Sequence, residues 1–154
     1  MQKGRRIAFD VGSSRIGVAT CDPDAILASP QAYIERDDDD LANCLRVIED
    51  IGAVAIYVGL PLNLEGRWTQ STYDALYFAQ DLEAECTVRV RLIDERLSTR
   101  AAQGKMREAG KSVRESRKDI DSAAAVEILE RAIEILKAGR DAGVTTEQAE
   151  QRNL

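Results

Sequence analysis

The sequence predicts a mixed α/β fold, a sheet covered by helices, on three observations. It opens with strand-like runs joined by short turns, and it then alternates buried-strand and helix patterns. With 154 residues it is long enough for one domain with a substantial core. The stretch Ile7-Ala8-Phe9, the small residues Gly12-Ser13-Ser14 and the run Ile16-Gly17-Val18-Ala19 read as a hairpin with strands at 5–10 and 15–21. A third strand is expected at 29–35, and Leu41, Cys44, Leu45 and Ile48 then repeat at helical spacing up to Gly52. The acidic run Asp37–Asp40 is read as helix capping and solubility rather than a metal site. The continuous apolar run 53–61, ended by Pro61, has the pattern of a strand buried on both faces. A helical stripe over 69–85, a strand at 88–95, a helix at 98–110 and a helix at 120–139 complete the series. One domain over residues 1–138 with a polar tail at 139–154 is therefore expected.

Composition narrows the chemistry. There are no histidines, which excludes Ser-His-Asp and Cys-His catalysis and the usual His-rich zinc sites. Cys21, Cys44 and Cys86 are far apart and never in a C-x-x-C pair, so buried free thiols are expected. No apolar stretch approaches the roughly 18 residues of a membrane span. The opening MQKGRR runs straight into a strand pattern, without a signal-peptide core, and a cytoplasmic location is expected. The net charge of −6 hides a segregation: the segment 96–118 carries +6 and the rest −12, so this one segment is able to attract polyanions.

Three carboxylates stand where a bare charge is costly. Asp10 ends the first apolar strand, Glu95 ends the last, and Asp121 begins a helix whose Ala124, Ala125, Ile128 and Ala132 mark its buried face. Each has an ordinary explanation: Asp10 as a turn residue, Glu95 as a strand-end charge, Asp121 as a helix-start acid. In a mixed sheet, however, the two strand ends and the helix start can meet at one edge. Three carboxylates together raise one another's pKa values, whereas Mg²⁺ or Mn²⁺ among them reverses the cost. Two such ions would serve phosphodiester hydrolysis without histidine.

The segments RIAFDVGSSRIGVATCD, VGLPLNLEG, LIDERLSTRAA and DIDSAAAVEILE resemble, in order, the motifs of the YqgF family. The resemblance spans about residues 5–138 and implies a ribonuclease-H-like nuclease domain, a five-stranded mixed sheet flanked by α-helices. It also implies metal-dependent cleavage of structured nucleic acid. Its acidic trio falls on Asp10, Glu95 and Asp121 as catalytic and metal-holding residues, with Asp94 expected on the opposite strand face. Nucleic-acid contacts are expected from Arg15, Arg96, Arg100, Lys111, Arg114, Arg117 and Lys118, those from 96 onward bracketed by two proposed ligands. The implied role is 5′-end processing of pre-16S rRNA; resolution of Holliday junctions by a homodimer is the alternative, and a non-catalytic nucleic-acid-binding factor a third reading. Trp68 is read either as a stacking platform for an unpaired base or as a partly buried core residue.

Overall fold

The computed structural model describes residues 1–96 and 122–153. The five strands are β1 (Arg6–Val11), β2 (Arg15–Cys21), β3 (Ala28–Glu35), β4 (Ala55–Leu60) and β5 (Arg89–Asp94). The helices are α1 (Asp40–Ile51), α2 (Gln70–Glu85), α3 (Ala123–Lys137) and α4 (Thr146–Asn153). The sheet order is β3-β2-β1-β4-β5, antiparallel within β1–β3 and parallel from β1 to β4 and β5. The expected mixed sheet is present, with β1 at its centre. The helix expected at 98–110 lies outside the described residues.

Strand alternation sorts the core into two layers. Ile7, Phe9 and Val11 of β1, with Ile56 and Val58 of β4, pack against Cys44 and Ile48 of α1 and Leu76, Ala79 and Leu82 of α2. Ala8, Ala19, Ala55 and Tyr57 face the other way, onto Ala125, Ile128, Leu129 and Ala132 of α3. Small residues on both sides of that second interface let α3 lie close to the sheet, as the alanine cluster suggests. Cys21 and Cys44 are buried and Cys86 half-buried, and all three are free thiols. No described helix is long and apolar enough to cross a membrane.

Two details depart from the sequence reading. In the acidic run, the Asp39 side chain does not cap α1. Asp40 instead accepts a 2.9 Å bond from Arg36 Nε, while Arg36 also reaches Asp74 and the carbonyl of Gly12. That guanidinium ties the hairpin turn to α1 and α2.

The second departure is the end of the chain, expected to be a polar tail. Val144 exchanges two backbone hydrogen bonds with Leu92, of 2.8 and 3.0 Å, and so covers the open edge of β5. Gly143 makes this crossing feasible: its φ is +78°, and a Cβ there would stand 2.6 Å from the Leu92 carbonyl oxygen. Ala142 and Ala149 are buried, and α4 packs on α2 and β5. An exposed strand edge is prone to pairing with other chains, which is the physical reason for this cover. With so few apolar positions, the element has no periodicity to read.

Candidate active site

Asp10 and Glu95 leave the sheet at the same end, separated by one strand. Asp10 lies on the α3 side of β1, beside Ala8, opposite Gly17 of β2. Glu95 follows β5 and extends the ladder by one bond, its N–H donating to the Leu60 carbonyl at 3.2 Å. Between them runs β4, with Phe9 opposite Val58 and Gly59 opposite Ile93. Gly59 is the gap through which the two acids meet. A Cβ there would overlap Glu95, standing 2.7 Å from its Cγ, and would also strike Ile128 Cδ1 of α3. With only hydrogen at that position, the Glu95 side chain lies across β4 and hydrogen-bonds to Asp10.

Electrostatics records this meeting. The Glu95 carboxyl is pushed up to about 9, first by burial, then by repulsion from Asp10 and by their shared hydrogen bond, with a smaller repulsion from Asp94. The Glu95 carboxyl is thus held toward its protonated form beside Asp10. Among the described residues no group of three or more acidic or thiol side chains converges, and the visible nucleus is this pair.

Asp121 lies outside the described residues, but its neighbour Ser122 is firmly held. The Ser122 hydroxyl accepts from the Val18 N–H at 3.2 Å and donates to the Gln31 carbonyl at 2.7 Å. It therefore bridges β2 and β3 where their register shifts, between Ile16 and Val18. Val18 adjoins Gly17, the partner of Asp10. The start of α3 is thus pinned one residue from the strand position facing Asp10. Ser122→Ala leaves the buried Val18 N–H and the part-buried Gln31 carbonyl without this partner and should cost about 1–3 kcal/mol of stability; urea unfolding measures it. Neither Gly59 nor Ser122 was singled out from sequence. A glycine inside a continuous apolar strand was the available signal for the first.

Asp94 points to the other face, as expected, and its carboxylate takes the Arg96 guanidinium, with Nε to Oδ2 at 2.8 Å. Arg96 is therefore turned toward Asp94 rather than toward Glu95. Arg15 stands at the start of β2, its guanidinium 4.8 Å from the centre of the Tyr33 ring. Arg100, Lys111, Arg114, Arg117 and Lys118 lie outside the described residues. Trp68 is half-buried, packs on the core and stands 5.0 Å from the Tyr73 ring.

The family model described as RuvX, Holliday junction resolvase, matches residues 4–135. The chain belongs to the RuvX family. A relative in Clavibacter sepedonicus is 45% identical over 141 residues, covering 90% of this chain and 88% of its own length. One in Mycobacteroides abscessus is 45% identical over 132 residues, covering 83% and 80%. Both are provisionally named pre-16S rRNA nucleases. Two solved structures share the fold of this RuvX-family chain at low identity. T. thermophilus RuvC in complex with a Holliday junction substrate is 14% identical with a TM-score of 0.58, covering 90% of this chain and 98% of its own. The Fowlpox virus resolvase with Holliday junction DNA is 10% identical with a TM-score of 0.58, covering 86% and 98%. The ribonuclease-H-like fold expected from the resemblance is thereby established, and family membership makes the chain a nuclease, a hydrolase acting on nucleic acid.

Proposed function

We propose that this RuvX-family chain cleaves phosphodiester bonds in structured RNA, in 5′-end processing of pre-16S rRNA, with Asp10, Glu95 and Asp121 as its catalytic acids. The observation that carries the reading is the contact between the half-buried Asp10 and Glu95 across Gly59. Two strand-end carboxyls pressed together are unfavourable alone, and their hard oxygen donors fit Mg²⁺ or Mn²⁺, held as two ions once Asp121 joins them. Such ions, when bound, lower the pKa of water and stabilise charge on the leaving oxygen. The chain's own acids fix where this occurs: Asp10 from the central strand, Glu95 reaching across β4, and Asp121 ahead of the Ser122 anchor.

Arg15 and the cationic segment containing Arg96, Arg100, Lys111, Arg114, Arg117 and Lys118 are proposed to hold the phosphate backbone on either side of the acids. RNA is preferred because relatives at about 45% identity carry the rRNA name. Junction cleavage by a homodimer is the second reading, favoured by the description of the family itself.

The test offers precursor 16S rRNA and a four-way DNA junction side by side, with Mg²⁺ or Mn²⁺, to wild type and Asp10→Asn. Wild type is expected to cut the RNA, and the variant to lose about 10³-fold or more, because such acids act as one unit. Undiminished cleavage by the variant overturns the assignment. Binding without any product, unaffected by chelation, would instead favour a non-catalytic factor.

A further inference from the structure

A cleft of about 420 Å³ lies around the edge of β5, lined by neither Asp10 nor Glu95. Its walls include Trp68 from the loop before α2, Asp94 and Arg96 flanking Glu95 in the chain, Arg131 of α3 and Arg152 of α4. Two features set this cleft apart from an ordinary surface depression. First, three guanidiniums face one carboxylate in a chain of net charge −6, and that carboxylate is already matched by Arg96. Against the opposing effect of burial, and after Arg96, Arg131 also acts on the Asp94 carboxylate, helping to lower its pKa, so the cleft carries more positive charge than its single acid offsets. Second, an indole forms part of the wall. Tyr73 lies 5.0 Å from the Trp68 ring, and a backbone bridge between Leu62 and Trp68 fixes the loop. Gly66, with φ +80°, brings the same loop against Arg96, where a Cβ would stand 3.3 Å from Nη1.

We infer that this cleft receives one unpaired nucleotide of the substrate strand, its base against Trp68 and its phosphate between Arg131 and Arg152. An aromatic surface joined to an excess of guanidiniums over carboxylates is the side-chain chemistry that takes splayed-out nucleotides. The volume falls in the range of pockets that enclose small organic ligands, about 300–1,000 Å³. Asp94 and Arg96 line the cleft and Glu95 lies between them in sequence on the opposite strand face, so a nucleic-acid strand seated there would have to round the end of β5 to reach the acids. The inference deepens the nuclease reading and rests on it: it assigns a subsite selecting single-stranded over fully paired flanks. It also gives work to the end of the chain, since α4 supplies Arg152.

Trp68 is the only tryptophan, so its emission reports directly on the cleft. Titration in EDTA, where hydrolysis is suppressed, uses a short labelled single-stranded RNA, its duplex, a polyphosphate of matching charge and a free nucleoside monophosphate. The single strand is expected to quench Trp68 saturably, with the same midpoint as its fluorescence anisotropy. Duplex and polyphosphate should leave emission unchanged, and the free nucleotide should bind at least tenfold more weakly. Arg131→Ala combined with Arg152→Ala should raise the midpoint about tenfold at low salt. Both arginines are exposed. Should that variant fail to fold, the wild-type comparison of probes decides alone. Binding seen by anisotropy with flat Trp68 emission, no binding, equal quenching by duplex, a free nucleotide as tight as the strand, or an unchanged midpoint in the folded variant would each overturn the inference. Asp10→Asn separates the two readings: quenching that persists while this variant still cuts leaves the subsite standing and removes only the catalytic assignment.

Discussion

Gly59→Ala should produce a folded but inactive protein. The added methyl has nowhere to go: it overlaps the Glu95 carboxyl and Ile128 Cδ1, and the latter belongs to the close interface between α3 and the sheet. Gly59 sits in a central strand paired on both sides, so its backbone is not free to retreat. The side chain that yields is Glu95, which is half-buried and stands at the exit of β5. Overpacking of this kind costs about 1–3 kcal/mol, within what a domain of this size survives. Displacing Glu95 is more serious for catalysis, since misplacement by about 1 Å can cost on the order of 10²-fold. Cleavage is therefore expected to fall at least a hundredfold while thermal melting stays cooperative and only modestly shifted. A variant retaining wild-type rates would mean that Glu95 need not cross β4. Glu95→Gln on its own should match the activity loss without the stability loss, which separates the carboxyl's role from the packing defect.

The sheet and its flanking helices were legible because their signals are repetitive: β4 is apolar throughout, α1 shows a clean stripe, and α3 is bounded by its alanines and Gly139. Asp10 and Glu95 were legible for the opposite reason, since each interrupts or follows an apolar run, Asp10 one residue before the end of β1 and Glu95 just past the end of β5. The route by which they meet was not. Strand order has to be known before Gly59 can be recognised as the residue between two acids, and composition does not give order. Ser122 was hidden for a related reason, because its partners, Val18 and Gln31, are 104 and 91 residues away in the chain. Arg96 shows the limit of reading charge by segment. It belongs to a strongly basic run, yet an extended chain sets residues two apart on one face, and Asp94 lies within its reach. The final helix buries Thr146 and Ala149 alone among its described side chains, too little pattern to distinguish from a tail.

Raising the pH should destabilise the metal-free protein and strengthen its response to Mn²⁺. The Glu95 carboxyl stands at about 9 in the folded chain against an ordinary 4.5, held there by burial and by Asp10, with Asp94 adding less. Between those two values the folded state carries a proton that the unfolded state has released. Stability therefore declines as pH rises through this window, opposite to the usual carboxylate, and the lost amount is on the order of a few kcal/mol. A divalent cation held by the same oxygens must displace that proton, so its apparent affinity should climb with pH up to about 9. Melting in EDTA is expected to occur several degrees lower at pH 8.5 than at pH 6.5, with Mn²⁺ restoring more at the higher value. Glu95→Gln supplies the decisive comparison. Its amide is neutral throughout, so it should abolish most of the pH dependence in EDTA, melt above wild type at pH 8.5 and gain little from Mn²⁺. If Glu95→Gln instead kept the wild-type slope, the strain would reside elsewhere, and the acidic pair would not be the group that a cation relieves.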